Sequence, residues 1–430
     1  MDWKNMYAQK LITIEEAAGK INSGENVFIG GLQSTPIELT QEICKRYKEY
    51  DNVNIYSALQ LTMFPYMTDR SFRGHLNYIP IYSGPVERMT MKMGVMDPTS
   101  VQFHQVDKLI EEWNKVVCDV TPPDENGDMY FGPGGVCLNG LASSMPHTEV
   151  IVSVNKHQIK VHGIYNKINV KDVDYICESN TLIPIIPDGE PSEVDVKIAN
   201  IIKPYIEDGS TIQLGIGGIS SSIGYALEEK KNISIRSEMI SDSLGYVASK
   251  GVLNSLYGSF ALGGQPLMDY INDNKDIKFG PLSIVNDPSE VSQIDKFISV
   301  NSCLMTDLTG QVASEGAGTR VISATGGQVD FVRGATHSNG GKSFICLPSV
   351  RVDRDGNMFS NIVPALPLGT PVTTLRTDVM YIVTEYGVAD VFNKSFEERA
   401  KALIEIAHPD FRDALTELSI QSGIVRKPIA

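Results

Sequence analysis

The sequence is short of the residues that staple or metallate a fold. Its six cysteines, Cys44, Cys118, Cys137, Cys177, Cys303 and Cys346, are scattered through 430 residues with no C-x-x-C pair. That spacing excludes a disulfide framework and a zinc ribbon, and fits reduced, mostly buried thiols. The seven histidines show no H-x-x-x-H spacing, so no metal site is expected. Long apolar runs are missing too: none approaches the roughly eighteen residues of a membrane span. The opening "MDWKNMYAQKLITIEEAAGKI" holds no apolar stretch of signal-peptide length and reads as one charged amphipathic helix. A cytoplasmic chain with no membrane partner is the expectation.

Positive charge is also scarce. Lys and Arg number 37 against 52 Asp and Glu, a formal net charge of −15, which argues against a nucleic-acid surface built on clustered cations. An anionic small ligand needs only a few local donors and stays open. No serine sits in a G-x-S-x-G elbow. The stretch "THSNGGKS" falls short of a phosphate loop, because Thr336 stands where its first glycine is required.

What is present is alternation. Short β-branched runs such as "TEVIVSVN", "DYICES", "KFISVNSCL", "SFICLPSV" and "VMYIVTEYG" are separated by helical patterns, which predicts α/β architecture with largely buried sheets. At this length two domains are expected, and the Pro/Gly-rich "IPIIPDGEPSE" (183–193) is the best linker. The expected division is 1–190 and 191–430, with a helix capped by Ser192 opening the second half. A Ser395 to Glu398 capping box opens another helix near the end.

The two halves share a plan. In "INSGENVFIGGLQSTPI" (21–37) and "IEDGSTIQLGIGGISSSI" (206–223), a helix-ending glycine, Gly24 or Gly209, leads through a short strand to a second glycine, Gly30 or Gly215. A Gly/Ser turn and an apolar helix follow each. Later, "DENGDMYFG" (124–132) pairs with "DRDGNMFSN" (353–361), both with a D-x-[ND]-G turn and a hairpin signal. Two pairs in the same order suggest two related domains.

Three places in the second half can carry chemistry. The turn at Gly215, Ile216, Gly217, Gly218 and Ile219 joins a strand to a helix, a common seat for an anion. It begins like the dinucleotide fingerprint G-x-G-x-x-G, but Ser220 replaces the third glycine. Glu238, in "SEMISD", lies about twenty residues on, where that fingerprint places a ribose ligand. A strand-end carboxylate beside apolar Met239 and Ile240 suits a nucleophile equally well, and spacing leaves both open. The third place is "SATGGQVDFVRGA" (323–335), whose Gly326, Gly327 and Gln328 amides can form an oxyanion hole. Acyl transfer needs that device; a nicotinamide-dependent dehydrogenase does not.

With "IEDGSTIQLGIGG", "SEMISD", "VNSCL", "GGQVDFVRGA", "VTEYGVAD" and "RAKALIEIAHPDF" in this order, nearly the whole chain resembles the acetyl-CoA hydrolase/transferase family of coenzyme A transferases. The resemblance implies two tandem related α/β domains of the coenzyme A transferase type, the second carrying the catalytic glutamate. It implies exchange of coenzyme A between short-chain carboxylic acids, 4-hydroxybutyrate with acetyl-CoA foremost, in a homo-oligomer. Coenzyme A and acyl-CoA would be substrates, with no tightly bound cofactor. By motif, Glu238 becomes the nucleophile and Asn301, in "VNSCL", the residue that orients it. Gly327 and Gln328 become backbone donors, with Gly326 beside them. Gly215 to Ile219 becomes the loop against which coenzyme A lies, and Lys342 meets one of its phosphates. "TPPDENGD" lies near the acyl site in this reading. The loop departs from the family in continuing "GGISSS" where near relatives carry "GAIPDA". A same-fold enzyme acting on butyrate or propionate, an acyl-CoA hydrolase, and a silent coenzyme A-binding module are the alternatives, beside the dehydrogenase.

Overall fold

The β-branched runs of the first half become six strands: β1 (Asn26–Ile29), β2 (Val53–Ala58), β3 (Leu76–Tyr82), β4 (Lys115–Val120), β5 (Glu149–Asn155) and β6 (Tyr175–Ser179). They form a sheet of order β3-β2-β1-β4-β5-β6, and every pairing is parallel. The whole of β4 is buried, as a parallel sheet covered on both faces requires. Val116, Val150, Val152 and Ile176 pack on one face with the stacked rings of Phe28 and Trp113, each aliphatic side chain contributing about 1.5–3 kcal/mol by leaving water.

The computed structural model describes residues 2–427. The chain divides into two compact units. The first comprises the residues up to Pro187 together with Met239–Asp242 and Leu256–Val285; the second comprises Asp188–Glu238, Ser243–Ser255 and the chain from Asn286 onward. Beside the expected division at 190/191, the first unit thus takes in two further segments from the second half. Residues 180–192 carry no regular secondary structure.

The second unit holds β8 (Ile233–Ile240) as far as Glu238, then in sheet order β7 (Thr211–Leu214), β9 (Phe297–Ser302), β10 (Lys342–Cys346), β11 (Tyr381–Thr384) and β12 (Gly387–Asp390). All pairings among these are parallel except the last. Helix α1 (Glu193–Ile202) opens this unit under a Ser192–Asp195 capping box. Helix α2 (Gly218–Ala226) follows β7, and α3 (Gln328–His337) precedes β10. Helix α4 (Phe396–Glu405) starts from the Ser395–Glu398 capping box. A cluster including Val332, Ile345, Ile382, Leu403 and Leu415 fills this unit's core.

The duplicated plan is visible inside each unit. β1 lies between β2 and β4, and β7 lies between β8 and β9, so each sheet reverses its order beside its first strand. Gly24 and Gly209 enter these strands at φ +80° and +79°, a left-handed conformation that glycine adopts without a Cβ penalty. Gly30 N–H donates to Val117 O and Gly215 N–H to Val300 O, each at 2.9 Å.

Two expectations change. The N-terminal stretch is two short helices, Trp3–Lys10 and Ile14–Ala18, not one. Between them Leu11 bridges to Ile176, and a Thr13–Glu16 capping box restarts the helix. The D-x-[ND]-G turns share their closure, since Asp124 and Asp353 each accept through Oδ1 from amides two and four residues on. Only the second is a hairpin, with Val350–Val352 antiparallel to Met358–Ser360. Strand Asp128–Tyr130 pairs instead with Lys167–Asn169.

Candidate active site

Strand β8 alternates buried and half-buried residues, because successive side chains leave a strand on opposite faces. Ser237 and Met239 take the buried face and Glu238 the half-buried one. Asn286 donates through Nδ2 to Glu238 Oε2 at 2.9 Å. Burial pushes the Glu238 carboxyl up to about 7; the Asn286 hydrogen bond opposes the rise and the charge of Asp330 adds to it. A carboxylate drawn out of water with few donors prefers its proton, and a single hydrogen bond offsets only part of that preference.

The Gly326–Gly327 turn closes on this carboxylate. A Cβ on Gly327 would stand 2.1 Å from Glu238 Oε2 and 2.1 Å from Asn286 Nδ2, so only glycine permits the approach. Gly326 is left-handed at φ +60°, which brings the chain sharply into α3. Gly327 is the N-cap of that helix, and the first amides of a helix have no partner within it. Gln328 occupies the first helical position, and its side chain is turned away to donate to Thr374 Oγ1 at 3.0 Å. Its backbone N–H is the group at the turn.

The loop after β7 is built differently. Gly215 is tied to β9, Ile216 is exposed, and Gly217 sits at φ +116° as the N-cap of α2 with open space where a Cβ would point. The helix starts at Gly218, earlier than the apolar pattern indicates, so Gly218 and Ile219 belong to its first turn. Ile219 is buried and faces the core. A Cβ on Gly218 would meet Asp195 Oδ2 at 2.3 Å, so α1 packs against this turn.

Two expected site residues stand elsewhere. Asn301 is buried in a polar ring: its Nδ2 donates to Gln213 Oε1 at 3.0 Å and to Ser299 Oγ at 2.9 Å, and its Oδ1 accepts from Gln213 Nε2 at 3.1 Å. It underlies the Gly215 turn, where a glycine Cβ would come within 3.2 Å of its Oδ1, and the asparagine that meets Glu238 is Asn286. Lys342 opens β10 level with Ile298, Ile212 and Ile235 across the sheet. That is three residues before Glu238, or about 10 Å along the strands, and three strands away. There its Nζ pairs with Glu207 Oε1 at 3.1 Å, while Lys296 takes Oε2 at 3.1 Å. Glu238, Gly326, Gly327 and Gln328 therefore converge, with Asn286 added; Asn301 supports the neighbouring loop, and Lys342 lies toward the other sheet edge. Asn286 sits in "SIVND", with no motif around it.

A carboxyl group at the carboxyl edge of a parallel sheet, faced by a glycine turn that opens a helix, is an arrangement suited to acyl transfer. The chain belongs to the acetyl-CoA hydrolase/transferase family: the model of its N-terminal domain matches residues 1–187 and that of its C-terminal domain residues 263–418. It is 34% identical to a butyryl-CoA:acetate CoA-transferase from Anaerostipes caccae, over 99% of each chain. A 4-hydroxybutyrate coenzyme A transferase from Clostridium kluyveri is 35% identical, over 96% of this chain and 98% of that one. The crystal structure of RipA from Yersinia pestis superposes with a TM-score of 0.90 at 29% identity, covering 99% of this chain and 100% of the other. Among the described residues no helix is long and apolar enough to cross a membrane.

Proposed function

We propose that this protein exchanges coenzyme A between short-chain carboxylic acids, 4-hydroxybutyrate and butyrate with acetyl-CoA, and that Glu238 carries coenzyme A between the two half-reactions. The observation that carries the reading is the Glu238 carboxylate held against Asn286 and Gly327. A Glu238 oxygen attacks the acyl carbonyl carbon, the carbon–sulfur bond breaks, and the electron pair leaves with the coenzyme A thiolate. The product is a mixed anhydride of the acyl group and Glu238. The thiolate then attacks the glutamyl carbonyl, the anhydride carbon–oxygen bond breaks, and the first acid departs as its carboxylate. An incoming carboxylate runs both steps in reverse, and no net proton moves.

Each attack places negative charge on a carbonyl oxygen. The amides of Gly327 and Gln328 are the donors for it, preorganised by the start of α3. The Gly215–Gly217 turn and the N-terminus of α2 supply donors for the pyrophosphate of coenzyme A. Neither role requires Lys342.

The relatives' names divide among butyryl-CoA, 4-hydroxybutyrate and succinyl-CoA, so the acyl preference rests on assay. Purified protein is given acetyl-CoA with each of a panel of acids, following new acyl-CoA and free thiol together. Transfer to 4-hydroxybutyrate or butyrate well ahead of thiol release is the expected result. Fast thiol release that added acid does not change would mean a hydrolase instead.

A further inference from the structure

We infer that Glu315 is a positioning residue for the reaction, a second carboxylate that braces the glycine turn facing Glu238; this rests on the transfer reading above. Thr325 directly precedes Gly326, and its Oγ1 donates to Glu315 Oε2 at 3.1 Å. The other carboxylate oxygen, Oε1, accepts from Thr373 Oγ1 at 3.0 Å. Thr373 Oγ1 in turn accepts from the amides of Ser314 at 2.9 Å and Glu315 at 3.3 Å. The Glu315 carbonyl accepts from the amides of Ile322 and Ser323, so the short hairpin of Gly316–Ala317 and Arg320–Val321 closes back on the same residue.

On the far side of the turn, Gln328 Nε2 donates to Thr374 Oγ1 at 3.0 Å. Thr373 and Thr374 are both buried, and both amides bond Val312 O, which fixes them to the strand before Glu315. Both flanks of Gly326–Gly327 are therefore fastened to one dipeptide, directly through Gln328 and through Glu315 from Thr325. Glycine needs such a brace here. Gly326 is left-handed, Gly327 has no side chain to pack, and the amides of Gly327 and Gln328 must stay at hydrogen-bond distance from the carbonyl oxygen that gains charge as Glu238 attacks. A carboxylate with two acceptor oxygens is the group that can take both threonine hydroxyls at once. Misplacing the donors by about 1 Å costs rate on the order of a hundredfold without removing any substrate contact.

The test compares wild type, Glu315→Gln, Thr325→Val, Thr325→Ser and the Glu315→Gln/Thr325→Val double variant. Measured for each are kcat, the Kd for coenzyme A by calorimetry, and the coenzyme A adduct left on Glu238 by acyl-CoA without acceptor. The expected result is a drop in kcat of roughly ten- to a hundredfold in Glu315→Gln and Thr325→Val, with coenzyme A affinity within twofold of wild type. Thr325→Ser keeps the hydroxyl and wild-type kcat, and the double variant is no slower than the worse single, because one linkage is cut twice. Should Glu315→Gln fail to fold, Thr325→Val carries the same comparison. Unchanged kcat in the variants, a loss that Thr325→Ser shares, or an equal loss in coenzyme A affinity overturns the brace while the wild-type adduct upholds the transfer reading. A wild type that forms no adduct on Glu238 overturns both.

Discussion

Asn286 Nδ2 donates to Glu238 Oε2 at 2.9 Å, and it meets a carboxyl that burial pushes up to about 7. Under the transfer reading the ionised form is the nucleophile, so kcat/KM should fall as pH drops below about 7, with one proton taken up. Removing the donor takes away the interaction that favours the charged form. Asn286→Ala should move the inflection to higher pH and lower kcat/KM at pH 7 by about ten- to a hundredfold, as for hydrogen bonds to charged groups. A pH–rate profile of both proteins decides it; an unmoved inflection would separate Asn286 from the nucleophile.

The same residue links pH to stability. The folded-state value of Glu238 lies above the ordinary 4.5 of a glutamate, so between those values the folded protein holds a proton that the unfolded chain gives up. Its stabilising contribution is full below about 4.5 and lost as pH rises through about 7. Glu238→Gln removes a buried charge at pH 8 and almost none at pH 5. Its Tm should therefore exceed wild type at pH 8, with the difference closing toward pH 5. A constant difference across that range would contradict the shift.

The first amides of α3 stand against Glu238 only because residue 327 has no side chain. Its φ is −100°, so Gly327→Ala incurs no left-handed strain, and the penalty is the collision of Cβ with Glu238 Oε2 and Asn286 Nδ2. Either the carboxylate or the turn must retreat, and transfer should drop at least a hundredfold for a displacement of about 1 Å. Coenzyme A should still bind, since the Gly215–Gly217 turn is untouched. Steady-state rates beside calorimetric titration with coenzyme A separate the two effects.

Much of this is legible in the amino-acid order alone. The buried runs at 148–155, 174–179, 296–304, 343–350 and 379–387 each contain a strand, because fully covered parallel strands read as continuous apolar segments. The motifs single out Glu238 and the Gly326–Gly327 turn, and the fold sets Gly327 against the Glu238 carboxylate. Asn301 is misplaced by motif, although strand parity holds the answer. It is two residues from Ser299, and Ser299 is level with Gln213, so all three side chains share one face and satisfy each other. Asn286 leaves no trace in the sequence, since an asparagine beside Asp287, the cap of the short helix Pro288–Ser292, reads as a turn. Lys342 sits in a glycine-rich stretch that resembles a phosphate loop, but its strand starts there and its ammonium turns to Glu207.

That last displacement gives a contrast between two positions expected to touch coenzyme A. Gly217 caps α2 at φ +116° with nothing within 4 Å of where a Cβ would stand, so Gly217→Ala causes no collision and acts only by forcing the turn out of a conformation other residues rarely adopt. The amides at the helix start then reorient, and affinity for coenzyme A should fall about tenfold or more, for a backbone cost of about 1–3 kcal/mol. Lys342 is held by Glu207 toward the opposite end of the strands. Lys342→Ala should leave both coenzyme A affinity and kcat within twofold of wild type, and its loss is felt at most as a small change in Tm, because ion pairs this exposed are screened by solvent and salt. Calorimetric titration of both variants with coenzyme A and with its dephospho form tests the pair. If Lys342→Ala weakens coenzyme A but not the dephospho compound, a phosphate of the ligand reaches that lysine, and the placement of the coenzyme A site along the Gly215–Gly217 turn is wrong.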